Sequence, residues 1–138
     1  MVRRRVGDRD YCAVGKRYAQ QVVDGKIPAC KWVRLACQRQ LDDLGRKRWR
    51  WRFDKNRGNR VCRFIERLPH IKGRWKTRLI ELEPWQCFLL TVIFGWVDAG
   101  GFRRYRKAYV EVPRKNAKTT ICAGIALFLL CADGEPGA

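Results

Sequence analysis

Hydrophobic residues recur at helical spacing in three stretches of the first 70 positions. Apolar side chains three and four residues apart predict helices over 10–23, 28–44 and 59–68. A glycine comes soon after each of the first two stretches, and Pro69 directly follows the third. Because glycine and proline commonly end helices, this pattern predicts a mainly helical N-terminal region.

A different periodicity occupies residues 46–57. Seven of these residues are basic, and Trp49, Trp51 and Phe53 occupy every second position. Alternation with a period of two predicts a short strand or extended segment with one aromatic face and one basic face. The rings could stack on nucleic-acid bases, but burial is the favoured interpretation, and DNA contact is assigned to the basic side chains. The residues assigned to DNA are Arg46, Lys47, Arg48, Arg50 and Arg52.

The pattern changes again after residue 82. Pro84 suits the first position of a helix that continues through residue 93. A short strand is predicted at 108–112 and a loop at 113–117. The helix predicted over 118–131 is apolar on almost every side, which is typical of a helix buried in a sizeable protein. This order of elements favours the beginning of an α/β fold.

The formal net charge of +18 is concentrated in the N-terminal part of the chain. Residues 1–80 hold 24 Lys and Arg against 7 Asp and Glu, whereas residues 81–138 hold 7 against 6. This excess favours polyanionic partners, with nucleic acid as the first candidate, and a solvated basic surface is the other interpretation. The change in composition near residue 79 predicts two regions, a basic helical one over 1–78 and a second over 79–138.

Seven cysteines could indicate a disulfide framework or a zinc site, but their spacing argues against both. No two of them form a Cys-x-x-Cys pair, and His70 is the one histidine of the sequence. Cys87, Cys122 and Cys131 lie in apolar runs and are expected to be reduced core residues. No signal peptide is visible, and the longest apolar run, 88–97, is about half a membrane span, so we expect a soluble cytoplasmic protein with no membrane partner.

The segment 112–119 has the order of a phosphate-binding loop, with a strand before it and a helix after it. Backbone N–H groups at such a helix start bind phosphate, a lysine neutralises phosphate oxygens, and the next hydroxyl residue ligates Mg²⁺. Lys118 and Thr119 fit these two roles. The usual pattern has glycines where Val112 and Ala117 stand, so by this pattern alone a helix that happens to begin with Lys-Thr-Thr remains the other interpretation.

The sequence of residues 113–120, Pro-Arg-Lys-Asn-Ala-Lys-Thr-Thr, resembles the modified phosphate loop of phage terminase large subunits, the motors that package DNA. Residues 82–86, Leu-Glu-Pro-Trp-Gln, are similar to the family motif that begins a helix upstream of the loop. Further similarity covers nearly the whole chain in order, at 18–43, 64–69, 94–96, 103–109 and 130–137. The resemblance implies the start of a phosphate-loop NTPase core of the RecA-like (ASCE) type, with a parallel sheet, and a function in ATP-driven packaging of double-stranded DNA.

The resemblance also implies roles for the loop residues, with ATP and Mg²⁺ as cofactors. Lys118 would bind the β and γ phosphates, and Thr119 would hold Mg²⁺. Thr120 and the backbone amides of Asn116 and Ala117 would cradle phosphate. Family members usually have glycine where Ala117 stands, so the methyl group is expected to be tolerated if the backbone φ stays negative and to weaken nucleotide binding otherwise.

Two further side chains receive nucleotide roles from the resemblance. Arg114 matches an arginine finger that acts in cis on the transferred phosphate, and a surface salt bridge is the alternative. Gln86 matches the glutamine that recognises adenine, and an ordinary residue of a helix start is the alternative. Trp85 is interpreted as a core residue rather than as a platform for the base.

The sequence stops at Ala138, before the acidic motif and the nuclease domain that the family carries. We therefore expect a truncated piece that does not hydrolyse ATP efficiently alone. The resemblance implies a terminase small subunit, a portal protein and a homo-oligomeric ring as partners, in the cytoplasm of a bacterial host. The alternative function is a non-catalytic basic DNA-binding module with a relic phosphate loop.

Overall fold

A computed structural model describes residues 9–71 and 78–134 of the chain. Within these ranges the chain forms five α-helices and two short strands. In chain order they are α1 (Tyr11–Val23), α2 (Lys31–Gly45), β1 (Arg52–Phe53), α3 (Lys55–Ile65), α4 (Pro84–Gly95), β2 (Trp96–Val97) and α5 (Lys118–Cys131). The basic segment 70–80, which contains Gly73 and which the sequence predicts to be a loop, lies mostly outside the described residues.

The first predicted helix is confirmed as α1. The carboxylate of Asp10 accepts a hydrogen bond from the backbone N–H of Ala13 over 3.0 Å, so Asp10 caps the helix. Tyr11, Ala19 and Val22 are fully buried on the face that meets the other helices. The helix ends where the chain turns through Gly25, whose φ of 75° is a conformation that glycine adopts without strain.

The next two helices are confirmed, but their predicted starts are wrong, and α3 ends at Ile65 rather than at residue 68. α2 begins at Lys31 rather than at residue 28, because Cys30 is still extended at φ −67° and ψ 164°. α3 begins at Lys55, four residues before the predicted start, because the Asp54 carboxylate accepts from the N–H of Arg57 over 3.1 Å. Asp54 therefore caps a first helical turn that is polar, and a search for apolar spacing does not detect such a turn.

α4 is the central helix and crosses both α1 and α3. Pro84 occupies its first turn, as predicted, and Glu83 and Gln86 form a reciprocal capping box there. A Cβ added to Gly15 of α1 would come within 2.9 Å of the Phe88 Cα, so the two helices approach each other at backbone distance. A Cβ added to Gly58 of α3 would come within 2.9 Å of the Cys12 Sγ of α1 and 3.4 Å of the Thr91 Cβ of α4, so α3 packs closely against α1 and in ordinary contact with α4.

One hydrophobic core draws on both sides of the predicted boundary at residue 79. Tyr11, Val61 and Ile65 pack in the same cluster as Leu90 and Phe128. The division into regions 1–78 and 79–138 stays a prediction, but the two regions share their buried surface.

The two strands form a small antiparallel sheet, with Arg52 opposite Val97 and Phe53 opposite Trp96. The extended structure predicted for 46–57 is thus present as a strand only at its centre. Arg48 has a φ of 55°, which interrupts an extended course before β1.

The strand predicted at 108–112 is wrong for this structure. The segment is unpaired and exposed over most of its length, since no other described segment lies beside it to complete a ladder. The predicted parallel sheet is likewise absent from residues 9–71 and 78–134, where β1 and β2 make up the sheet.

α5 has the predicted bounds but not the predicted burial. Ile121, Gly124 and Phe128 are buried against α3 and α4. The opposite face is open, with Leu127 exposed by 43% and Leu130 by 72%. The helix therefore has one covered face and one exposed apolar face.

The seven cysteines are free of disulfides, as expected. Cys87 is buried, as predicted, whereas Cys122 and Cys131 are exposed because they lie on the open face of α5. Of the remaining four cysteines, Cys12, Cys37 and Cys62 are buried and Cys30 is exposed. Across the described residues no helix combines the length and apolar character needed to cross a membrane, and no cluster of His, Cys, Asp and Glu is arranged to hold a metal ion.

Candidate phosphate loop and basic surface

The side chain of Lys118 folds back over the loop that precedes α5. Its Nζ donates hydrogen bonds to the carbonyl oxygens of Val112, at 2.6 Å, and Pro113, at 3.3 Å. The two contacts close the segment 112–118 into a compact turn with the ammonium group at its mouth. This places a positive charge beside the start of the helix, as the sequence pattern predicts for a phosphate loop.

Two residues of the loop have left-handed backbone conformations. Lys115 has a φ of 66°, and Ala117 has a φ of 56° with a ψ of 21°. The side-chain amide of Asn116, between them, donates to the carbonyl oxygens of Pro113 and Arg114 at 3.2 and 3.3 Å. Left-handed residues in a tight loop are typical of loops whose successive N–H groups converge on an anion.

The first turn of α5 adds further donors. The first bond of the helix joins the N–H of Ile121 to the carbonyl oxygen of Ala117 at 2.9 Å. The N–H groups of Lys118, Thr119 and Thr120 therefore precede the hydrogen-bond ladder of the helix and point along its positive end. Thr119 is exposed and Thr120 is partly buried, and Arg114 on the loop is exposed as well. The donor set of the loop suits an oxyanion, with a hydroxyl group and cations within the same few residues.

Gln86 lies outside this loop, in the first turn of α4. It is only 5% exposed, and its Oε1 accepts a hydrogen bond from the backbone N–H of Glu83 at 2.9 Å. The acceptor half of the amide is therefore used by the capping box. The Nε2 group could donate to a base, and Oε1 keeps a second lone pair beside the one used by the cap.

A cavity of about 730 Å³ lies between the start of α4 and the loop. Trp85, Val112 and Pro113 all line it, which places the residue beside Gln86 on the same cavity as the first loop residues. Trp85 is only half-buried, contrary to its interpretation as a core residue. Aromatic residues of α1, α2, α4 and the exposed segment 108–112 also line it, namely Tyr18, Trp32, Phe88 and Tyr109. Sequence reasoning missed this cavity, because its wall is assembled from four separate elements.

The five residues assigned to DNA, Arg46, Lys47, Arg48, Arg50 and Arg52, are all exposed. Three of them have acidic neighbours, with Arg46 at 3.4 Å from Asp43, Arg50 at 3.5 Å from Asp98 and Arg52 at 3.4 Å from Asp54. These ion pairs are long and solvated on the arginine side, so they leave the guanidinium groups accessible.

Two of the three aromatic residues of the same segment, Trp49 and Phe53, pack against a buried ring. The ring centroids of Trp49 and Phe53 lie 5.6 and 5.2 Å from that of Trp96, both in edge-on geometry. Trp96 is buried, and its Nε1 donates to the Oε1 of Gln40 at 2.7 Å. The arrangement agrees with the interpretation that the rings are the buried face and the basic groups the outer one.

Comparison with known proteins gives one match. Residues 84–138 match the family model of the terminase large subunit, ATPase domain. Searches of curated proteins and of solved structures found no match. The matched segment begins at the first residue of α4 and includes the loop and α5. Residues 84–138 of this chain are thus similar to the ATPase domain of terminase large subunits.

Proposed function

We propose that this chain binds ATP with Mg²⁺ through the loop 112–119. It would form the ATP-binding part of a motor that packages double-stranded DNA. The observation that carries the proposal is the position of Lys118, whose Nζ is held on the carbonyl oxygens of Val112 and Pro113 at the start of α5. A phosphate oxygen carries more charge than a carbonyl oxygen, so a bound triphosphate would compete well for this ammonium group.

The residues of the loop fit a triphosphate by their donor chemistry. Lys118 would bind the β and γ phosphates, Thr119 would ligate Mg²⁺, and Thr120 would join the amides of Asn116 and Ala117 in holding phosphate oxygens. Bound ATP and Mg²⁺ supply a phosphoanhydride bond whose cleavage releases the free energy that a motor uses. Arg114, exposed on the same loop, would place its guanidinium against charge that develops on the transferred phosphate.

Other parts of the chain contribute to the proposal in different ways. Gln86 would contact adenine through its Nε2, since the cap of α4 already uses one lone pair of its Oε1. By family, the loop and α5 are proposed to belong to a phosphate-loop NTPase core with a parallel sheet. By family, a terminase small subunit, a portal protein and other copies in a ring are proposed partners in the host cytoplasm.

Binding of a fluorescent, non-hydrolysable ATP analogue in the presence of Mg²⁺ tests the nucleotide site. We expect the wild-type chain to bind it and Lys118→Ala to lose most of the affinity. Lys16→Ala is the matched control, because Lys16 is an exposed lysine on α1. Equal losses in the two variants would indicate a general charge effect and contradict the proposed loop.

The second candidate function is a non-catalytic basic DNA-binding module with a relic loop. The left-handed conformation of Ala117 favours it, because alanine resists a backbone angle that glycine adopts easily. If wild type and Lys118→Ala bind the analogue equally poorly while both bind duplex DNA, this second function is the correct one.

A further inference from the structure

Two basic segments that are far apart in sequence meet on one side of the molecule. The guanidinium carbon of Arg46 lies 4.8 Å from the centroid of the Trp49 ring, and that of Arg104 lies 4.6 Å from the same ring. The pairing of β1 with β2 explains the meeting, because it brings the chain after α4 next to the segment before α3. Trp49 therefore joins the basic residues that precede β1 to those that follow β2.

The contact continues beyond Trp49 as an alternating row. Arg104 also lies 4.9 Å from the centroid of the Tyr105 ring, and Arg39 of α2 lies 5.4 Å from that ring. We call this row the arginine–aromatic stack, and its members in order are Arg39, Tyr105, Arg104, Trp49 and Arg46. Each arginine is within the distance at which a guanidinium is attracted to the face of a ring.

Carboxylates anchor the stack without neutralising it. Asp43 is 4% exposed and lies 2.7 Å from Arg104 and 3.4 Å from Arg46. Asp54 and Asp98 face Arg52 and Arg50. Three carboxylates thus lie among seven basic side chains, which leaves a net charge of +4 on this surface. The seven are Arg39, Arg46, Lys47, Arg48, Arg50, Arg52 and Arg104.

The geometry of the stack favours phosphate over bases. A guanidinium that lies over a ring can still direct its outer N–H groups at two phosphate oxygens. Arg46 remains 57% exposed, Arg50 71% and Arg52 60%, so solvent and ligands reach them. Trp49 and Tyr105 are half-buried and already carry arginines, so their faces are not open platforms for the bases of a single strand.

We propose that the arginine–aromatic stack and the adjoining residues 46–52 form one surface that binds the phosphate backbone of double-stranded DNA. The stack adds the exposed Arg39 to the residues that the sequence pattern assigns to DNA, while Arg104, which is 18% exposed and bonded to Asp43 at 2.7 Å, holds the stack together. Contacts of this kind position a duplex without reading its sequence. The inference deepens the proposed function, on which it rests, because it names where the duplex would lie.

The test is the binding of the full chain to a fluorescent 30-base-pair duplex of mixed sequence, measured by anisotropy over a range of salt concentrations. Arg39→Ala/Arg46→Ala is expected to weaken binding at least about tenfold and to reduce the slope of log affinity against log salt by about two contacts. Arg17→Ala/Arg67→Ala removes the same charge from exposed positions on α1 and after α3. This control pair should lose much less affinity for the duplex.

A charge-retaining variant separates the stack from net charge. Arg39→Lys/Arg46→Lys keeps both charges but loses the planar guanidinium groups, so it should keep most of the salt slope and still bind several-fold more weakly. The proposal is overturned if Arg39→Ala/Arg46→Ala binds duplex like wild type or no worse than the control pair. Tighter binding of a single strand of the same length and sequence would also overturn it.

Binding of the ATP analogue to the same variants keeps this inference distinct from the proposed function. The stack variants should bind the analogue like wild type, which also shows that they are folded. If the stack variants lose affinity for the duplex while Lys118→Ala leaves analogue binding unchanged, the proposed nucleotide site is wrong and the proposed DNA-binding surface is supported. If Lys118→Ala loses affinity for the analogue while the stack variants still bind the duplex like wild type, the nucleotide site is supported and the DNA-binding surface is wrong.

Discussion

The Nζ of Lys118 donates a hydrogen bond over 2.6 Å to the carbonyl oxygen of Val112, six residues earlier in the chain. The bond holds the lysine in place before any phosphate arrives. It also fixes the backbone of the loop between them, where Ala117 is left-handed. The conformation of Ala117 is therefore the next property of this loop to test.

Replacing Ala117 with glycine should stabilise the conformation of the loop. An L-residue in the left-handed region costs roughly 1–2 kcal/mol, and glycine avoids this cost. We expect Ala117→Gly to raise the free energy of unfolding by about 1 kcal/mol and to leave affinity for the ATP analogue unchanged or tighter. Urea unfolding and analogue titration measure the two effects.

Ala123→Gly is the control for this substitution, because Ala123 is exposed in the middle of α5. There glycine should lower the free energy of unfolding by about 0.5–1 kcal/mol. A clear loss of nucleotide affinity in Ala117→Gly would mean that the loop binds in another conformation.

The carboxylate of Glu66 should make a large contribution to stability. It is 9% exposed and accepts hydrogen bonds from the hydroxyl of Tyr11 at 2.6 Å, from Arg9 at 2.9 Å and from the N–H of Leu82 at 2.9 Å. Tyr11→Phe removes one donor from a buried charge, so it should lower the free energy of unfolding by about 1.5–3 kcal/mol.

Tyr109→Phe is the matched control, because the Tyr109 hydroxyl also faces a carboxylate, that of Glu111 at 3.2 Å, but the residue is 88% exposed. Its removal should change stability by less than about 0.5 kcal/mol. Equal effects in the two variants, measured by urea unfolding, would show that the Glu66 contacts add little.

Gly15 should not tolerate a side chain. An added Cβ would meet the backbone of Phe88 at 2.9 Å, and backbone atoms cannot move aside as a flexible side chain does. Gly15→Ala should therefore cost about 1–3 kcal/mol through overpacking between α1 and α4. Gly45→Ala, where nothing lies within 4 Å of the new atom, should be neutral or stabilising. Thermal unfolding compares the two, and a neutral Gly15→Ala would contradict the close helix contact.

Buried thiols should make the protein less stable in alkali. Burial raises the pKa of Cys12 to about 12 and those of Cys37 and Cys87 to about 11, from a usual value of 9.0. Above pH 9 the unfolded chain loses these protons while the folded chain keeps them. The contribution of the neutral buried thiols to the free energy of unfolding is thus complete below about pH 9. It falls as the pH rises towards 11 and 12.

Urea unfolding at several pH values measures this slope. Cys37→Ala removes one buried thiol and should make the fall shallower, whereas Cys30→Ala removes an exposed thiol and should not. A slope that is the same in both variants would show that other groups cause the alkaline loss.

The sequence predicts the helices well where their starts carry a local signal. Pro84 and the apolar spacing behind it place α4, and Lys118 opens α5 at the predicted residue. The start of α3 was predicted wrongly because its first turn is polar and depends on Asp54 as a cap. Local chemistry therefore has to be considered together with hydrophobic spacing.

The candidate surfaces were harder to predict, because they depend on contacts between distant segments. Arg104 and Trp49 are separated by more than 50 positions, and they meet only because β1 pairs with β2. The residues 108–112 show the opposite case, since an apolar run favours a strand but cannot form one without a partner. For Ala117 the sequence left both signs of φ open, and the structure shows the positive one.

The shared core affects how the protein can be divided for experiments. The family match begins at residue 84, but Tyr11, Val61 and Ile65 cover the faces of α4 and α5 that contain Leu90 and Phe128. A shortened chain that starts at residue 84 would leave those faces bare and should self-associate in solution. Biochemical work on the matched segment therefore requires the helices that precede it.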